Sequence, residues 1–217
     1  MEVNFLNYLP KGKKPLKKRK KVSDLDRIKT WKLDFNYFDG TREQGYGGYK
    51  YDGRWKPFAK AIIKYYKLDY NSKILDIGCA KGYLLKEIKE FIPNCKVFGV
   101  DISEYALSTA HEKIKDNLIL ANANNLPFKN KYFDLTLSIN SLHNILDLSD
   151  LKNAFKEIKR VSKKNIFITV GTYENQKEKK ILDEWAVLAR TYMSKKSWLN
   201  FFKKVNYNGD YDWFKPR

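Results

Sequence analysis

The chain has 217 residues, 43% of them hydrophobic, and a formal net charge of +18 with a pI near 9.6, which suits one domain with extensions. No apolar run approaches the roughly 20 residues of a membrane span, and the amino terminus lacks the apolar stretch of a signal peptide, so a cytoplasmic protein without membrane contact is expected. Two cysteines, Cys79 and Cys95, have no spacing that suits a disulfide frame, a zinc site or an iron–sulfur cluster; both are expected to be buried fillers, and no metal is expected.

Lys11 to Lys21 carry eight basic residues in eleven positions around Pro15. Like charges at that density favour a solvated chain, so residues 1–22 are expected to form a basic, flexible tail. The rest of the excess is mostly lysine, with seven arginines in all, and reads either as a solvated surface or as the footprint of an anionic partner. Ser23 is placed to cap a short helix reaching about Thr30. An aromatic stretch from Trp31 to Trp55 follows, interrupted by Gly40, Gly45, Gly47, Gly48 and Gly53. Phe58, Ala61, Ile62, Tyr65 and Tyr66 then recur at helical spacing. Residues 23–66 thus form an N-terminal helical and aromatic extension ahead of a domain at 67–217. There, strands are predicted at 73–77, 96–100, 117–120, 133–139 and 165–170, and helices at about 82–91, 103–114, 149–161 and 174–192. This alternation indicates a parallel sheet with helices on both faces. A last helix at about 195–204 leads to an edge strand at Tyr211–Phe214.

The richest stretch is Ile74-Leu-Asp-Ile-Gly-Cys-Ala-Lys-Gly82. A buried strand delivers Asp76 to its carboxyl end, and Gly78, Ala80 and Gly82 form a small-residue turn that a nucleoside-like ligand can approach closely. A dinucleotide fingerprint would place its second and third glycines at 80 and 83, where Ala80 and Tyr83 stand, so that reading fails. The next strand ends at Asp101, 19 residues beyond Gly82. An acid there can accept from both ribose hydroxyls while Ile102 covers one face of an adenine. Asp101 also suits a helix N-terminal acid, with Ser103 an equally good cap.

The acid at 76 with glycines at 78 and 82 resembles the first motif of class I S-adenosylmethionine-dependent methyltransferases, with Ala80 where the family has its middle glycine. The resemblance implies that Asp76 lies near the methionine amino group and that the turn backbone passes beneath the cofactor. Ala121-Asn-Ala-Asn-Asn-Leu-Pro-Phe128 resembles the family's adenine-contacting turn, which implicates Asn122 and Ala123. Phe133 to Asn144 resembles its central strand, whose end places Ser138 or Asn140 against the methionyl part. His143, just beyond, is a candidate general base or acceptor-orienting group by virtue of its pKa near ~6.5, with a helix-facing packing residue as the plain alternative. The family implies a Rossmann-like α/β sandwich with a mostly parallel central sheet. Its sheet ordinarily ends in a reversed hairpin, for which this chain is short, so a shortened C-terminal edge is expected. The implied reaction is an in-line displacement from the sulfonium, leaving S-adenosylhomocysteine, in which the protein aligns the reactants and excludes water. The two cysteines argue against radical chemistry on S-adenosylmethionine, which requires a three-cysteine cluster.

Gly45 to Trp55 place Tyr46, Tyr49, Tyr51 and Trp55 on a glycine-hinged backbone, and in this family that region folds over the cofactor. Tyr49 and Arg54 are the candidates for a lid that touches the methionyl carboxylate or the acceptor, Arg54 offering a bidentate fork for an anion, with a glycine-hinged loop whose aromatics cap the core as the plain alternative. A small anionic acceptor, such as a nucleotide-linked sugar or a phosphate-containing surface-polysaccharide precursor, is expected. The alternatives are an RNA methyltransferase, which fits the charge but lacks an Asn-Pro-Pro-Tyr-like strand end and a dedicated RNA module, and a non-catalytic SAM-fold binding protein. The oligomeric state stays open.

Overall fold

The structure is a computed structural model that describes residues 1–10, 22–188 and 191–215; the basic run Lys11–Lys21 lies outside the described residues. In chain order the elements are α1 (Asp24–Trp31), α2 (Phe35–Phe38), α3 (Lys56–Tyr66), β1 (Lys73–Ile77), α4 (Tyr83–Phe91), β2 (Lys96–Asp101), α5 (Glu104–Ser108), β3 (Leu118–Leu120), β4 (Phe133–Ile139), α6 (Leu148–Val161), β5 (Ser162–Tyr173), α7 (Gln176–Trp185), β6 (Met193–Ser194), α8 (Lys195–Lys204) and β7 (Asp210–Phe214). The strands form one sheet in the order β3-β2-β1-β4-β5. On the far side of β5, β7 pairs with Phe167–Gly171 and β6 with Thr172–Tyr173, and every ladder among the described residues is parallel.

Side chains alternate across this sheet, because successive residues of a strand face opposite sides. Ile74, Leu135 and Phe167 pack with Phe58, Leu85 and Ile88 on one face. Leu75, Phe133 and Ile168 pack with Phe155, Ile158 and Trp198 on the other. Helices α3 and α4 therefore cover one face and α6 and α8 the other, the layered architecture expected. The strand order reverses between β1 and β4, and the loops beyond their carboxyl ends part to leave a crevice.

Three expectations are corrected. The helix anticipated over 103–114 ends at Ser108, and Glu112–Asn117 form a separate 3-10 turn. Ser108 Oγ and Thr109 Oγ1 both donate back to the Tyr105 carbonyl, at 3.0 and 2.7 Å, and such local bonds compete with helix continuation. Helix α7 stops at Trp185, where Ala186 turns to extended backbone, rather than running to 192. The described part of the expected tail is docked: Val3 N–H donates to the Tyr211 carbonyl at 2.9 Å, Leu6 N–H donates to Asp212 Oδ2 at 2.7 Å, and Phe5 is buried against Phe58 and Phe167. The apolar residues of this opening segment supply that packing, which the neighbouring lysines concealed. Among the described residues, no helix is long and apolar enough to cross a membrane.

Candidate active site

The turn after β1 is held against β2 by its own backbone. The Val100 carbonyl accepts from both Gly78 N–H (2.8 Å) and Cys79 N–H (3.1 Å). Gly78 adopts φ +76, and a Cβ there would lie 2.0 Å from Ser141 Oγ, so the loops after β1 and β4 meet at this glycine. Ala80 is also left-handed, at φ +50, a conformation that costs an alanine about 1–2 kcal/mol. Its N–H is held by Asp101 Oδ2 at 2.8 Å, and Asp101 Oδ1 accepts from Ser103 N–H at 2.9 Å. Asp101 thus shapes the turn before any ligand arrives. Ser103 caps α5, as the alternative reading required, with its Oγ accepting from Ala106 N–H at 3.0 Å. Gly82, at φ +71, lines neither of the two cavities along the crevice; a Cβ there would sit 2.1 Å from Ile114 Cδ1, so its smallness serves packing beneath the 112–117 turn.

Two cavities open along the crevice and share Gly78, Ala80 and Asn140 as a common wall. The first, about 380 Å³, brings together Asp101, Ile102, Asn122 and Ala123 with Trp31 and Phe38 of the N-terminal extension. The second, about 510 Å³, brings together Asp76, Tyr49, Arg54, Trp55 and His143. Ile102 is largely exposed at the first cavity, where an apolar face is available to a flat ring. Asn122 also lies there, but its Oδ1 accepts from Asn124 N–H at 3.2 Å, so the amide shapes its own turn.

Asp76 is a buried carboxyl in the wall of the site. It is 4% exposed, its Oδ1 has no hydrogen-bond partner among the described residues, and it sits in the wall of the second cavity. Burial pushes its carboxyl up to about 8, with the Asp101 charge adding to the effect. Burial raises Asp101 as well, opposed by N–H groups of Ser103, Ala80 and Ile102. A buried carboxyl without a partner is costly, and a cation arriving beside it removes that cost. An α-ammonium group meets that requirement, so the residues present fit S-adenosylmethionine.

Residues of the extension line both cavities, through contacts that sequence reasoning only half anticipated. Tyr49 stacks on Tyr83 with centroids 5.1 Å apart and touches Tyr46 at 4.5 Å. The fastening residue is Asp39, which was missed. Its carboxylate accepts from buried Lys81 Nζ (2.5 Å), from the Tyr105 hydroxyl (2.8 Å) and from Tyr49 N–H (3.0 Å), tying α2 to the glycine turn and to α5. A lysine within the turn at position 81 was the available signal, since a buried ammonium must find an acid. Arg54 reaches the second cavity, but its guanidinium is engaged bidentately by Asp52 at 2.6–2.9 Å rather than held open for a ligand.

At the end of β4 the structure separates residues that were expected to act alike. Ser138 is fully buried, donates to the Ile77 carbonyl at 3.0 Å and lines neither cavity, so it joins β4 to β1 instead of contacting a ligand. It lies within β4, whereas Asn140 lies just beyond the strand's end at Ile139. Asn140 lines both cavities in a left-handed conformation (φ +54), with Oδ1 accepting from Thr169 Oγ1 at 2.8 Å. His143 lines the second cavity, but not as a base: Nδ1 accepts the Gly171 N–H at 3.1 Å, and burial pushes the imidazole down to about 4. The ring is therefore neutral, with its proton on Nε2, and stacks on Tyr192 at 5.4 Å. Val187 and Leu188, beyond α7, complete the wall. The uninterrupted helical pattern assigned to 174–192 had hidden them.

A model of the methyltransferase domain family matches residues 75–169. A tRNA (carboxymethyluridine(34)-5-O)-methyltransferase of Arabidopsis thaliana is 29% identical over 141 residues, covering 64% of this chain and 34% of the relative. A mitochondrial arginine-hydroxylase of Mus musculus is 41% identical over 91 residues, covering 41% of this chain and 25% of the relative. The chain thus spans between 25% and 34% of the length of these two curated relatives. Among solved structures, phosphoethanolamine N-methyltransferase 2 of Haemonchus contortus, in complex with phosphomonomethylethanolamine and S-adenosylhomocysteine, superposes with a TM-score of 0.59 at 19% identity, over 79% of this chain and 43% of that chain.

Proposed function

We propose that this chain, whose residues 75–169 match a model of the methyltransferase domain family, is a class I S-adenosylmethionine-dependent methyltransferase that binds S-adenosylmethionine in the crevice and transfers its methyl group to oxygen or nitrogen of a small anionic acceptor. The carrying observation is the unpartnered, buried Oδ1 of Asp76 in a cavity that adjoins the Asp101 cavity through Gly78 and Ala80. One carboxylate answers the methionyl ammonium and the other the ribose hydroxyls, with one ligand lying across the shared Gly78 and Ala80 turn. Ile102, Asn122 and Ala123 would flank the adenine. Bound there, S-adenosylmethionine supplies a methyl group on a sulfur that leaves without needing a proton. The chain's own part is to hold the acceptor in line and to keep water out, through the Tyr46, Tyr49 and Trp55 cover.

The acceptor space is the second cavity, whose wall carries Arg42, Lys50 and Arg54 among aromatic rings. With Arg54 paired to Asp52, the charges of Arg42 and Lys50 support an anionic acceptor, such as a nucleotide-linked sugar or a phosphate-containing surface-polysaccharide precursor. A second reading, RNA as acceptor, draws on the net charge of +18 and on the tRNA substrate in the name of the Arabidopsis relative. Label transfer from methyl-labelled S-adenosylmethionine into a deproteinised small-molecule extract, run beside total RNA, separates the two. Label in the small-molecule fraction is expected; label confined to RNA overturns the first reading. Removing residues 11–21 is a companion test, since loss of an RNA arm weakens RNA binding in a salt-dependent way and loss of a solvated segment does not.

A further inference from the structure

His143 was sought as a base and is held as a donor, and that difference bears on what the acceptor can be. Its one lone pair, on Nδ1, is occupied by the Gly171 N–H at 3.1 Å, and Nε2 has no hydrogen-bond partner among the described residues. The carbonyl of the same residue accepts from Thr191 N–H at 3.3 Å, and Tyr192 stacks on the ring, so backbone and side chain are both clamped. Taking a proton at Nδ1 would break the Gly171 bond and place a charge in a buried position.

The remaining groups around the second cavity do not replace it as a base. Asp76 is the carboxylate of that wall, and in the reading on which this inference rests it faces the methionyl ammonium. Burial pushes the Tyr46 and Tyr49 hydroxyls up, and the Cys79 thiol likewise, so these stay protonated. Arg42 donates to the carbonyls of Gly45 (2.9 Å) and Tyr46 (3.4 Å), leaving its positive charge without a carboxylate in those contacts. The wall is rich in N–H and O–H donors and positive charge, and poor in places to put a proton.

From this arrangement we infer that the methyl acceptor is an oxygen acid already ionised at neutral pH, a carboxylate or a phosphate, and that His143 positions it by donating from Nε2–H. The ionised oxygen attacks the methyl carbon; the C–O bond forms as the C–S bond breaks; the electron pair leaves on sulfur. No proton changes hands, so no base is required. A sugar hydroxyl or a protonated amine would have to lose a proton to a group that this wall does not offer.

The experiment reads the chemistry of the product and the state of the ring separately. Label transferred from methyl-labelled S-adenosylmethionine into the anionic small-molecule fraction of a cell lysate is treated with alkali, then with phosphodiesterase. Release as methanol by alkali identifies a carboxyl ester, and release only after phosphodiesterase identifies a phosphate ester; both support the inference. Label resistant to both treatments, as an ether or N-methyl group is, overturns it while leaving methyl transfer intact, whereas failure to bind S-adenosylmethionine sinks the proposed function instead. Nitrogen-15 spectra of the imidazole are expected to show the neutral Nε2–H form from pH 6 to 8; an Nδ1–H form refutes the positioning role. His143→Gln, which retains a side-chain N–H, is expected to keep the rate within about 3-fold, and His143→Leu to lower it roughly 10-fold or more, the order of one lost hydrogen bond to a charged group. Equal loss in both variants contradicts the donor assignment.

Discussion

Replacing Asp76 by asparagine separates folding from ligand binding, because the two respond in opposite directions. The native carboxyl titrates near 8 against an ordinary 3.8. Below pH 4 the group is protonated folded and unfolded, and contributes full stability. As pH rises the unfolded chain releases this proton and the folded chain retains it, so stability falls by about 1.4 kcal/mol per pH unit until the folded group ionises near pH 8. The accumulated cost is on the order of 5 kcal/mol. Asp76→Asn removes that cost but buries an amide with unmet hydrogen bonds, a penalty of about 1–3 kcal/mol. The variant is therefore expected to be more stable than the wild type by about 2 kcal/mol at pH 8, a rise in Tm of roughly 4–8 °C for a chain of this size, and to lose that advantage near pH 4. The same change removes the ammonium's partner, and breaking such a buried pair costs about 3–5 kcal/mol, a 100-fold or greater loss of S-adenosylhomocysteine affinity. Thermal melts at pH 4 and 8, with and without S-adenosylhomocysteine, read both effects. An Asp76→Asn variant less stable than the wild type at pH 8, or one still protected by the ligand, refutes the reasoning.

Gly78→Ala is expected to lower stability and ligand affinity together, because its Cβ would fall 2.0 Å from Ser141 Oγ at φ +76. Adding Ser141→Gly should relieve the clash and leave about 1 kcal/mol from the backbone conformation, measured as a difference in Tm between single and double variants. Asp39→Ala strands the buried Lys81 ammonium and is expected to cost about 3 kcal/mol and to speed proteolysis between residues 33 and 50; unchanged cleavage contradicts the fastening role. His143, held down to about 4 by burial, stays neutral in the fold while the unfolded imidazole gains a proton below 6.5. Its contribution is thus complete above pH 6.5 and is lost as pH falls toward 4, about 3 kcal/mol in all. Urea unfolding at pH 7 and 4.5 should show that loss in the wild type and not in His143→Gln.

The wall of the crevice proposed for the cofactor could be read from the sequence because its geometry is local. Asp76, Gly78 and Asp101 sit at strand ends whose apolar runs and turn residues announce themselves, and one parallel sheet follows from the alternation. The wall proposed for the acceptor could not be read, because it is made by chain that crosses between elements. Asp39 acts through Lys81 and Tyr105, residues 42 and 66 positions away. Ser138 and Asn140 differ by two positions, yet one bonds the Ile77 carbonyl and the other lines both cavities, a distinction set by where the strand ends. The role of His143 depended on one N–H donor from β5, 28 residues on, which no spacing rule supplies. Val187 and Leu188 entered the wall only because α7 stops short, and the docking of Phe5 on Phe167 was hidden beside a run of lysines.

Calorimetric titration of S-adenosylhomocysteine into the wild type and Asp101→Ala addresses the crevice as a cofactor site without reference to any acceptor. Asp101 both holds Ala80 N–H at 2.8 Å and faces the first cavity, so its loss should relax the turn and remove the ribose partner at once. One-to-one binding by the wild type and at least a roughly 100-fold weaker affinity in the variant are predicted, two charge-assisted hydrogen bonds being worth about 3 kcal/mol or more. No binding by the wild type, or equal binding by both, would contradict the account.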